Sequence, residues 1–241
     1  MLPMKFFSRI LFAGALLAPA ALIAASFEGK VSLKMTSARN QPQTITYNIK
    51  GDKIRIEMPG QSTMGGLIMD TTKKETMMIM DQQKMYMVMA MPDPAASPGR
   101  AEKSGEAPTL KKTGESERIL GYLAEKYVST FQNATTDLWL AEGLGAFMSF
   151  SNSGPMGGRR GGGGAPTLQA WERALAGKDL FPLRVVGHDK EGQENFRMEV
   201  TAIEKAVLPE TLFAPPTGYQ KLEMGNMMQG MMPGGMPGGR P

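Results

Sequence analysis

No cysteine occurs in this sequence, which removes disulfides, thiolate metal sites and lipid attachment through an N-terminal cysteine. Stability must come from an ordinary core. Histidine is nearly absent as well: His188 stands alone, in Gly187-His188-Asp189-Lys190 at an expected hairpin tip. No Gly-x-Ser-x-Gly or other nucleophile context accompanies it. The acidic residues fall mostly on polar strand faces, alternating with Lys and Arg, and not as a pair aimed into an apolar pocket. The glycines between 157 and 164 lack the strand-to-helix setting and the Lys-Ser or Lys-Thr ending of a phosphate loop. The reading is of a non-enzyme that needs no cofactor.

What the chain does have begins with Lys5 and Arg9, an apolar run from Ile10 to Ile23 broken by Gly14 and Pro19, and the small residues Ala24, Ala25 and Ser26. That order reads as a secretory signal peptide over residues 1–25. The run is shorter than the roughly 20 apolar residues of a membrane-spanning helix, so no transmembrane segment is expected after cleavage, and the protein is expected to be exported, periplasmic or secreted. Loss of Lys5 and Arg9 lowers the formal charge of +4 to a near balance of lysine and arginine against acid. No nucleic acid or other polyanion is implied as a partner. Arg159-Arg160 among glycines adds too little charge to alter this.

From Phe27 onward the pattern has period two, which places alternate side chains on one face of a sheet. Val31, Leu33 and Met35 alternate with Lys30, Ser32 and Lys34, and Ile45, Tyr47 and Ile49 follow a turn over 38–42. After Gly51-Asp52, Ile54, Ile56 and Met58 alternate with Lys53, Arg55 and Glu57. Further strands are expected over 67–70, 75–80 and 85–91. Segment 92–108 reads as a loop, strand texture returns over 117–130 and 135–141, and the Gly-rich segment 151–165 reads as a second loop. Leu168, Trp171, Ala174 and Leu175 carry helical spacing ended by Gly177. A closing hairpin is expected from 181–186 and 194–204.

The expected fold is therefore mainly β with few helices, an α+β arrangement in which a curved antiparallel sheet or open half-barrel packs on a helix. Residues 26–219 form the expected β domain, and residues 220–241, rich in Met, Gly and Pro, read as a disordered tail.

Several segments together resemble the DUF4412 family of exported bacterial proteins. They are Phe27-Glu28-Gly29, the stretch Tyr47 to Glu57, Met69-Asp70, Gly121 to Tyr127, Trp139 to Gly145, Phe181 to Arg184, and Phe213-Ala214-Pro215-Pro216-Thr217-Gly218-Tyr219. Family members often carry a cysteine where this chain has Ala124, which removes any thiol role here. The resemblance implies a half-barrel similar to LolA-like periplasmic lipoprotein carriers, which hold acyl chains between a curved sheet and helices. Fold alone does not fix function.

Two functional readings follow. Strand parity picks Val31, Leu33, Tyr47, Ile54, Ile56, Met78, Trp139 and Trp171 as lining a groove for a lipid-like ligand or an envelope protein. The alternative rests on the 22 methionines. Met224, Met227, Met228, Met231, Met232 and Met236 are spaced so that several thioethers could converge on Cu(I) or Ag(I), soft ions that thioethers select. Met77 to Met91 could fill a core or line a groove, since methionine is flexible and polarizable.

Overall fold

Two meanders meet at the first strand. In the computed structural model, which describes residues 27–37, 40–58, 65–91, 108–131, 134–148 and 166–223, β1 (Glu28–Ser37) lies between β2 (Asn40–Lys50) and β11 (Glu194–Lys205). From β1 the chain steps outward through β2, β3 (Lys53–Glu57), β4 (Gly66–Asp70), β5 (Glu75–Met80) and β6 (Met85–Ala90). It resumes at the opposite edge with β7 (Thr109–Ile119) and steps inward through β8 (Tyr122–Phe131), β9 (Ala134–Ala141) and β10 (Phe181–His188) to β11. The short β12 (Gln220–Lys221) joins β6, giving one 12-stranded sheet.

The sheet is open and mixed. Every pairing is antiparallel except β12 with β6, which is parallel. The fold is mainly β, with one α-helix among the described residues, α1 (Pro166–Leu175). The expected signal peptide, the methionines from 224 onward and most of both Gly/Pro-rich loops lie outside the described residues. Gln220 and Lys221, assigned from sequence to the tail, belong to the sheet.

Alternation builds most strands as expected, but two elements differ. The stretch 117–130 is not one strand: Leu120 and Gly121 form a two-residue turn with φ of 50° and 87°, the left-handed pair that suits a hairpin. Its first arm, β7, was not legible because its sequence, TLKKTGESERI, has almost no apolar alternation. It is an edge strand exposed along nearly its whole length, so burial imposes no pattern on it.

One cluster holds apolar side chains from strands on both wings, including Leu33, Ile56, Met78, Leu138, Val185 and Val200, with Trp171 and Leu175 of α1 among them. The sheet thus folds its concave side around a single core. The convex side is covered at one end. After β11 the chain crosses the backs of the β2–β5 strands and buries Leu208 and Phe213 against Ile68 and Ile79, with Met77, Leu212 and Tyr219 alongside. β4 is consequently buried on both faces.

This crossing segment is fastened at each step. Glu28 accepts from the Leu208 amide at 2.7 Å, Lys50 donates to the Leu208 carbonyl at 2.6 Å, and Arg55 donates to the Leu212 carbonyl at 3.0 Å. Tyr219 donates to Asp81 at 2.8 Å, and the amides of Gln220 and Leu222 donate to Lys84 and Tyr86 carbonyls.

Candidate functional site

The concave side carries a row of register partners that runs unbroken across six strands: Val31 faces Tyr47, then Ile56, Leu67, Met78 and Met87 in turn. Such pairs sit about 5 Å apart, so their side chains form one continuous surface. Burial changes along it. Val31, Ile56 and Leu67 are fully covered, Met78 is 8% exposed, and Met87 on β6 is only half-buried.

At the β1–β2 end an aromatic cap fills the interior. Phe147 stacks on Trp171 with centroids 5.5 Å apart and tilts against Tyr47 at 5.8 Å, while Phe181 meets Phe147 edge-on. Aromatic pairs favour these offset and edge arrangements. The Tyr47 hydroxyl donates to the Met148 carbonyl at 3.4 Å. Burial, with the Glu172 carboxylate nearby, pushes its phenol far above the usual range.

Seven of the eight groove residues read from sequence, Val31, Leu33, Tyr47, Ile54, Ile56, Met78 and Trp171, belong to this interior and are buried. The space expected beside Trp171 is occupied by Phe147, whose segment, 142–148, gave no periodic signal. Trp139 departs from the set. It is the register partner of Lys126 and Arg184, and its ring lies between their cations, 5.4 Å from the Lys126 nitrogen and 5.1 Å from the Arg184 guanidinium carbon. The correction follows from parity: its neighbours Leu138 and Leu140 are the ones that point into the core.

Around Trp139 the polar face is laced by charge. Arg184 reaches Glu117 at 2.8 Å and Glu199 at 3.1 Å, Arg197 bridges Glu194 and Glu199, and Lys126 lies near Glu115 and Asp137. His188 sits 3.7 Å from Asp137. Among the described residues no three or more His, Cys, Asp or Glu side chains converge as a metal site.

A cleft of about 540 Å³ opens at the other end of the molecule, lined by Glu28, Lys50, Asp52, Lys53, Asp70, Lys73 and Glu210 among others. Its lysines are already engaged. Lys50 meets Glu28 and Glu210 at 3.3 and 3.2 Å, Lys53 meets Glu210 at 2.6 Å, and Lys73 lies 3.8 Å from Asp70. Lys53 and then Lys50 hold the Glu210 carboxyl below the usual range. The cleft is the fastening of the crossing segment, with its charges satisfied internally.

The less deeply buried end of the concave side is sulfur-rich. Met78 pairs with Met87 and Met80 with Met85. Met80, Met85 and Met87 are half-buried. The methionine run was visible in the sequence, but its division was not: Met77 points to the crossing segment on the opposite face.

The class defined by this geometry is an open mixed β-sheet wrapped around an apolar core and one helix. The chain belongs to the DUF4412 family, described as a domain of unknown function, whose model matches residues 27–219. No curated protein matches the chain in sequence. Among solved structures it is similar to an uncharacterised conserved protein from Thermus thermophilus, with 14% identity and TM-score 0.46 over 83% of this chain and 91% of that one. It is also similar to the MucA/MucB complex from Pseudomonas aeruginosa, with 14% identity and TM-score 0.42 over 79% and 56%. A LolA superfamily protein from Nitrosomonas europaea gives 13% identity and TM-score 0.32 over 80% and 91%. Among the described residues no helix is long and apolar enough to cross a membrane.

Proposed function

We propose that this is a non-catalytic binding protein of the cell envelope that takes its ligand at the less deeply buried end of the concave side, on β5 and β6. One observation carries the reading: burial fades along the row from Val31 to Met87, so the interior is closed at β1–β4 and half-open at Met85 and Met87 of β6, beside a buried Met89. The signal-like segment 1–25 supports export of the domain that follows it. Thioethers offer an uncharged, adaptable surface. The first ligand class such a surface suits is an apolar chain, such as a lipid acyl group, and the second is a soft cation.

The test is binding of N-phenyl-1-naphthylamine to the full-length protein, with lipid extraction and native mass spectrometry of protein recovered from its own envelope fraction. The expected result is a saturable probe site that Met87→Glu abolishes and a co-purifying acyl compound that displaces the probe. Probe binding that Met87→Glu leaves intact would remove β6 from the site.

A further inference from the structure

We infer that Met78, Met80, Met85 and Met87 form a binding site for a soft monovalent cation, Cu(I) or Ag(I); this rests on the reading that the β5–β6 end is where the ligand is taken. The argument starts from an asymmetry between the two faces of one hairpin. On the face turned to the crossing segment stand Met77, Ile79, Tyr86 and Val88, with Met77 and Ile79 in the cluster of Leu208 and Phe213. Apart from Met77 these are the β-branched and aromatic types that strands favour. On the concave face stand Thr76, Met78, Met80, Met85, Met87 and Met89, five of them thioethers. A core needs no such run, since methionine is unbranched and specifies packing poorly. Local preference is broken mainly on one face, where Thr76, Met78 and Met89 are buried and Met80, Met85 and Met87 at the turn end are half-buried.

The register supplies the convergence. Met78 lies opposite Met87 and Met80 opposite Met85, two residues further along both strands. Directly opposed side chains have Cβ atoms about 5 Å apart and diagonal ones about 7 Å. Unbranched side chains with three rotatable bonds on such a grid can bring three or four sulfurs to a common point. The four belong to two strands held by one four-residue turn, Asp81–Lys84, so the grid is built locally.

Thioether sulfur is uncharged and soft, selects Cu(I) among first-row ions, and needs no deprotonation to bind. Coordination here releases no proton. Affinity is therefore level between pH 7 and pH 5, unlike that of a site whose ligands must lose a proton to bind.

The experiment is an anaerobic competition titration of the full-length protein against a chromophoric Cu(I) chelator. It is repeated on Met80→Leu/Met85→Leu/Met87→Leu and on a full-length variant with the six methionines between 224 and 236 replaced by leucine. Leucine keeps the volume, and thermal unfolding of each variant confirms folding. The expected result is one equivalent of Cu(I) retained by the tail variant, at least tenfold weaker binding in the hairpin variant, and no change from pH 7 to 5. Equal affinity in the hairpin variant, or loss of binding in the tail variant, overturns the inference. Methyl-labelled methionine NMR separates the two levels of failure. If the apolar probe shifts the hairpin methyl signals and Ag(I) does not, the metal site fails and the binding end stands. If neither shifts them, both fail.

Discussion

Phe147 lies face to face with Trp171, their rings 28° from parallel, and this contact closes the place where a sheet-and-helix groove would otherwise be. Phe147→Ala should uncover Trp171, cost about 2–3 kcal/mol for a half-buried aromatic, and shift tryptophan emission to longer wavelength. It should also create a second site for an apolar probe beside α1. Unchanged emission would mean that Phe147 does not shield Trp171.

Gly29 approaches β11 so closely that a Cβ would stand 2.1 Å from the Glu204 carbonyl oxygen. Gly29→Ala must push the two central strands apart, with a penalty of about 3 kcal/mol. At this chain length that lowers the thermal midpoint by roughly 6–12 °C, which calorimetry would read.

The crossing segment should respond to acid. Glu210 is held below the usual carboxylate range by Lys53 and Lys50, so its contribution is present above the ordinary value of 4.5 and is lost as pH falls through the lowered one. The urea midpoint should drop on acidification, and Glu210→Gln should show a smaller acid loss from a lower neutral-pH value. Equal acid slopes in the two proteins would assign the effect to other carboxylates.

Tyr47 should limit stability at the alkaline end. Its phenol is raised well above 10.0 in the folded chain, so the stability it contributes is complete below pH 10 and declines as pH rises further. Tyr47→Phe should flatten that decline, measured as urea midpoints between pH 9 and 11.

Arg184 combines stacking on Trp139 with paired contacts to Glu117 and Glu199. Arg184→Lys keeps the charge but loses the planar fork, and should cost about 1–2 kcal/mol. Lys126→Arg on the other side of the ring should be nearly neutral. Chemical denaturation of both variants tests the contrast.

How much could be read beforehand depended on whether burial acted on one face at a time. Ile54 and Ile56 against Lys53 and Arg55 gave a strand because one side of β3 is wet, and the same logic found most of the sheet. β7 escaped because neither side is deeply buried, and the double burial of β4 because its covering comes from far along the chain. The Phe213 to Tyr219 stretch stood out only as a family segment; its role, a covering for Ile68 and Ile79, depends on a crossing that no local period encodes. Trp139 was misplaced although its parity against Leu138 and Leu140 was available. For the methionines, composition announced the cluster, while the register decided that Met78, Met80, Met85 and Met87 share a side and Met77 does not.

Because β1 finds its second neighbour in β11, with Val31 opposite Ile203, the order of assembly is constrained. Each wing can zip from local hairpins, yet their union waits for residues near the end of the chain, and the price of closing so long a loop slows folding. A chain halted before residue 194 would hold two unfinished sheets with bare central edges, open to pairing with other chains. Union of the two wings is therefore a late event, decided by β11.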